Sequence, residues 1–61
     1  MKPELSPAEV REIRQRLGLT QAQLDERIGT GRDVVRGWES GRAPCRGPAA
    51  LLLQHLGGEN G

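Results

Sequence analysis

Apolar residues recur at helical spacing in four stretches of this chain, each bounded by residues that start or stop helices. Val10, Ile13 and Leu17 fall on one face of a helix predicted over 7–17, leaving Glu9, Arg11, Glu12 and Arg16 outward. Ser6, Pro7 and Glu9 have the order of an N-cap, a first helical residue and the acidic half of a capping box. Gly18 supplies a left-handed stop. Thr20 and Gln23 make a second capping box for a helix over 21–28, whose apolar face is Leu24 and Ile28, supported by Ala22, and which Gly29 ends. Thr30 and Gly31 read as a turn. A third helix is expected over 32–40, beginning at Arg32, with Val34, Val35 and Trp38 inward and Gly41 closing it. Arg42 to Arg46 reads as a polar loop. Pro48 opens a fourth helix over 48–56, with Ala49, Leu52, Leu53 and Leu56 inward. No stretch alternates with a period of two, so no strand is expected. Residues 57–61 hold three glycines and no apolar side chain, and are expected to form a flexible C-terminal tail after a domain spanning 1–56.

Composition narrows the class. Sixty-one residues make one domain, which at this size buries only about 60% of its unfolded surface. With 34% hydrophobic residues and Trp38 as the single aromatic, the chain suits a few short helices around Leu, Ile and Val better than a sandwich or barrel. The expected fold is therefore all-α, a compact four-helix domain. There is no internal repeat and no low-complexity segment. No apolar run approaches the roughly 20 residues that span a bilayer, so no membrane partner is expected. Met1 to Pro7 lacks the pattern of a signal peptide, and the single Cys45 excludes an internal disulfide. A reducing, cytoplasmic setting follows, with no metal and no cofactor. Cys45 reads as a bystander, and His55 as a group that compensates the end of the last helix.

The net charge of +1 argues for nothing, but its distribution does. Glu4, Glu9 and Glu12 against Arg11 leave residues 4–12 at −2, whereas Arg27, Arg32, Arg36, Arg42 and Arg46 against Asp33 and Glu39 leave residues 27–46 at +3. Eight of the nine basic residues are Arg, whose planar fork suits phosphates and guanine edges. Two short helices joined by a glycine-bearing turn, next to an arginine-bearing loop, let the second helix protrude into a major groove while the first crosses the backbone. No Ser/His/Asp arrangement, phosphate-cradling loop or paired-carboxylate site is credible in so small a chain, and an enzyme is not expected.

The stretch Leu19-Thr20-Gln21-Ala22-Gln23-Leu24, followed by Ile28-Gly29, Val35 and Trp38-Glu39-Ser40-Gly41, resembles the helix-turn-helix of the Cro/C1 type, the λ repressor-like or XRE family. The resemblance covers roughly residues 8–56. It implies base-reading positions at Arg32, Asp33 and Gly37, with Arg36 one helical turn after Arg32 and within reach of a base or phosphate. It implies phosphate contacts from Gln21 and Arg42, to which the loop residue Arg46 is added, and an ion pair between Arg14 and Glu39. Three positions depart from the family pattern. Asp25 stands where a small residue is usual and needs a partner if buried, with Arg32 or Arg36 the candidates. Asp33 is acidic where DNA approaches. Gly37 offers no side chain and weakens a short helix. Specificity is then expected to rest on Arg32 and Arg36.

The expected function is sequence-specific double-stranded DNA binding by a small transcriptional regulator of phage or bacterial type, a repressor or autoregulator held at the nucleoid by its DNA. Pairing as a homodimer over two operator half-sites is expected, with the fourth helix as the available interface. Leu51 either serves that pairing or covers the first helix. No sensor domain is visible in the sequence. The alternative is an antitoxin, with a toxin as partner, or a protein-interaction module on the same scaffold with weak or no DNA specificity. Asp25, Asp33 and Gly37 favour the alternative; Arg32, Arg36, Gln21 and Arg42 favour DNA.

Overall fold

A computed structural model describes residues 2–58. Among them α1 spans Pro7–Leu17, α2 Gln21–Ile28, α3 Val34–Ser40 and α4 Pro48–Gly58; a two-residue strand β1, Glu4–Leu5, precedes α1 and another, β2, Cys45–Arg46, precedes α4. The fold is all-α, with four helices around one core.

Local chemistry accounts for where α1 and α2 begin and end. Ser6 Oγ accepts from the Glu9 amide at 3.1 Å, and Glu9 Oε1 accepts from the Ser6 amide at 2.8 Å. Thr20 and Gln23 repeat the exchange at 3.1 and 2.8 Å. Each box satisfies a first-turn amide that the helix itself leaves without a partner. Gly18 and Gly29 close the two helices at φ 73° and 71°, where a side chain would add strain.

Helix α1 packs against α4 and α3, and α2 packs against α3. Val10, Ile13, Leu24, Val35, Trp38, Ala50 and Leu53 fill the space between them, joined by Leu5 and Cys45 from the strands. Leu24, Leu53, Val10 and Val35 are fully buried, each contributing about 1.5–3 kcal/mol relative to exposure. Leu17, Leu19, Ile28, Val34 and Ala49 line the margin.

The structure departs from the expected elements in four places. Helix α3 starts at Val34, not Arg32, because Asp33 sits at φ 62°, the only non-glycine with positive φ among the described residues. A left-handed residue cannot continue a right-handed helix. The expected absence of strands fails as well: Glu4 pairs with Arg46 and Leu5 with Cys45 in an antiparallel ladder. Two residues are too short to show alternation, yet the pairing buries Leu5 and Cys45 and leaves Glu4 and Arg46 outward. Burial pushes the Cys45 thiol up to about 11.

Third, α4 is rotated from its expected phase. Ala50 and Leu53 are buried, whereas Leu52, expected inward, is 39% exposed and Leu51 45%. An unbroken apolar run carries no phase of its own; small side chains decide where two helices come close. Fourth, α4 runs to Gly58, so the expected tail begins two residues too early. Gly57 is buried against α1 and its carbonyl accepts from Arg16 Nη1 at 3.0 Å. Residues 59–61 of that tail lie outside the described residues. No helix is long and apolar enough to cross a membrane among the residues described.

Candidate nucleic-acid interface

Helices α2 and α3 are joined at two points, and both are carboxylates. Asp25 lies on the buried side of α2, 6% exposed. Its Oδ1 accepts from the Val35 amide at 2.9 Å and from Thr30 Oγ1 at 3.1 Å. The expected guanidinium of Arg32 or Arg36 is not its partner; both arginines turn to solvent. The physical reason is proximity: the first turn of α3 presents a free amide directly beside the carboxylate.

Glu39 is the second joint. Arg14 donates to it twice, from Nε to Oε2 at 2.6 Å and from Nη2 to Oε1 at 3.2 Å. Gln21 Nε2 donates to Oε1 at 3.1 Å and Arg11 Nε at 3.4 Å. Burial raises the Glu39 carboxyl, but hydrogen bonds from Arg14 and Gln21, with the Arg14 charge and a further bond from Arg11, outweigh it and leave the group below the usual carboxylate range. Arg14 also donates to the Leu19 carbonyl at 3.0 Å, which fixes the link from α1 to α2. No buried side-chain nitrogen or oxygen among the described residues lacks a partner. The cluster joins α1, α2 and α3 at the base of an open face.

On that face the exposed side chains of Arg32, Asp33 and Arg36 border a cleft of about 660 Å³ between α2 and α3, with Gln21 and Glu26 opposite. Arg36 also borders an adjoining hollow of about 450 Å³, whose other walls include Gly37, Ser40 and Arg42. Arg42 follows the end of α3, its own amide donating to the Gly37 carbonyl at 3.0 Å. Gly37 has open space where a side chain would stand. Three exposed guanidiniums thus share one side of the molecule with a bare stretch of helix. Gln21 is half-buried and spends one amide proton on Glu39. Arg46 borders another hollow, with Pro3, Glu4, Gly47 and Leu51.

A model of a helix-turn-helix family matches residues 10–57. The chain belongs to the Cro/C1-type helix-turn-helix family. Comparison with curated proteins and with solved structures gives no match. The family is one of DNA-binding regulators rather than enzymes, and DNA is its partner. In this helix-turn-helix domain α2 and α3 are the motif, and the cleft between them is its outer face.

Sequence reasoning missed three participants: Thr30 and the backbone of Val35, which hold Asp25, and Arg11, which joins Glu39. One signal was present. A carboxylate one residue after Leu24 and three before Ile28 lies close to an apolar face and must find donors. Nothing in the chain order names those donors.

Proposed function

We propose that the domain binds a specific double-stranded operator sequence and acts there as a repressor or autoregulator, with α3 and the turn before it facing the major groove. The observation that carries this is the exposed trio Arg32, Arg36 and Arg42 beside the bare helix surface at Gly37. Arg32 and Arg36 read base edges, most naturally guanine O6 and N7 through bidentate bonds. Asp33 accepts from cytosine N4, and Gly37 lets the duplex come close. Arg42 holds a phosphate. Gln21 does so with its second amide proton, since an NH2 group carries two donors. Arg46, beside Glu4 and Leu51, is assigned to a pairing surface instead.

Size supports two copies. The longest dimension is 27 Å, shorter than the roughly 34–36 Å between half-sites one helical turn apart, so one copy covers one half-site. Leu51 and Leu52 are exposed, and acidic Glu4 faces basic Arg46 across the strand pair. Exposed apolar side chains beside charges of both signs suit a self-complementary contact between two copies related by a two-fold axis.

Selection from random duplexes tests the reading. Enrichment of a two-fold symmetric site is expected, with affinity falling steeply as salt rises. Arg32→Ala and Arg36→Ala are expected to relax one position each, at about 1–3 kcal/mol, while Gln21→Ala and Arg42→Ala weaken all sequences alike. A selection that enriches nothing sinks the proposal and leaves a module for binding protein, such as an antitoxin with its toxin.

A further inference from the structure

We propose that Asp25 is a positioning residue for DNA readout: from α2, its carboxylate caps the first turn of α3 and so aims Arg32 and Arg36. The proposal rests on the DNA-binding reading above and adds the element that gives the reading face its shape.

Asp33 stands at the N-cap of α3 but makes no cap bond with its side chain. The caps of α1 and α2, Ser6 and Thr20, have extended backbone at φ −74° and −79° and fold their hydroxyls back onto the first turn. At φ 62° Asp33 is left-handed instead. One of the first-turn amides of α3 that Asp33 leaves unserved belongs to Val35, a residue with no exposed surface, so water cannot take its place. Asp25 Oδ1 serves it at 2.9 Å, from ten residues earlier in the chain.

Asp25 also gathers the turn. Its backbone carbonyl accepts from the amides of Gly29 at 2.9 Å and Thr30 at 3.2 Å. Its carboxylate accepts from the Thr30 hydroxyl at 3.1 Å. One residue therefore holds the end of α2, the turn and the start of α3. Arg32 lies inside the loop that these bonds close, and Arg36 directly follows the capped Val35. The charge matters as well as the bonds. A carboxylate at the start of α3 offsets the partial positive charge of that end, so phosphate gains little there and attraction falls to the arginines.

If the cap only stabilised the fold, its loss would lower the melting temperature and leave sequence preference untouched. The test is the ratio of affinities for the selected duplex and a scrambled one, measured at a temperature where circular dichroism shows each variant folded. Asp25→Ala is expected to cut that ratio by about tenfold, comparable to losing one base contact, with an unchanged salt slope because the phosphate contacts persist. Asp25→Asn keeps an oxygen acceptor for Val35 and is expected to stay within about threefold of the wild type, the smaller loss expected when a neutral acceptor replaces a charged one. Thr30→Val, which removes one donor to Asp25, is expected to fall between them and serves if Asp25→Ala does not fold. A ratio equal to wild type for folded Asp25→Ala or, where that variant does not fold, for Thr30→Val overturns the proposal. A wild-type chain with no sequence preference overturns the DNA-binding reading itself, which is a separate outcome.

Discussion

Glu39 exposes 2% of its side chain and takes hydrogen bonds from Arg14, Gln21 and Arg11. Its folded-state carboxyl is held below the ordinary value of 4.5. A depressed carboxyl contributes stability that is present above the unfolded value and lost as pH falls through the folded one. The thermal midpoint is therefore expected to hold level from neutrality down to about pH 5 and to fall below 4.5, the ordinary value. Glu39→Gln is expected to lower the midpoint at neutral pH and to flatten the acid limb, since the charge that titrates is gone. Melting curves across that range check it, and equal acid slopes in the two proteins would refute it. Glu9 is depressed too, by its bond from Lys2, the amide of Ser6 and the Lys2 charge, so part of the acid loss survives the substitution. At this scale the capping pairs Ser6/Glu9 and Thr20/Gln23 were legible, because partners three residues apart meet in any helix start. The donors to Asp25 and Glu39 were not, because they come from other elements.

Helices α1 and α4 meet at Gly57. A Cβ there would lie 2.5 Å from Ile13 Cγ2, and Ile13 is buried and β-branched with little room to yield. Gly57→Ala is expected to destabilise the domain by about 1–3 kcal/mol, overpacking outweighing the gain in helix propensity. Gly37, inside α3, has nothing within 4 Å of the same position. Gly37→Ala is expected to stabilise by up to about 1 kcal/mol and, if the duplex approaches there, to weaken DNA binding at the same time. Urea midpoints and binding curves on the same samples give both results; a Gly57→Ala protein more stable than wild type would refute the close-packing account. The run Ala49 to Leu53 predicted a helix, but the phase expected for it put Leu52 inward wrongly, since five successive apolar residues fit any rotation. The small residues Ala50 and Gly57 settle it by allowing α4 to approach the core.

The whole molecule measures 27 × 22 × 18 Å, with the arginine-bearing cleft formed by α2 and α3 and a second, more apolar hollow beside β1, β2 and Leu51. If the second hollow pairs two copies, Leu51→Glu is expected to shift sedimentation to the monomer. The substitution changes an exposed side chain, so the melting temperature is expected to move little. DNA affinity for the full symmetric site would then fall toward that of a single half-site. A Leu51→Glu protein that sediments as the wild type does would remove this surface from consideration.

Four helices, the capping boxes of α1 and α2, and the family could be read from the chain, because these depend on spacing and on partners a few residues away. The resemblance also brought Arg14 and Glu39 to attention, and the structure shows them 2.6 Å apart. The late start of α3, the strand pair of Leu5 with Cys45, and the place of Arg46 beside Glu4 and Leu51 depend on how distant parts of the chain pack. The same packing decided what Asp25 does. A buried carboxylate must be satisfied, but which donor satisfies it depends on where the next helix comes to rest.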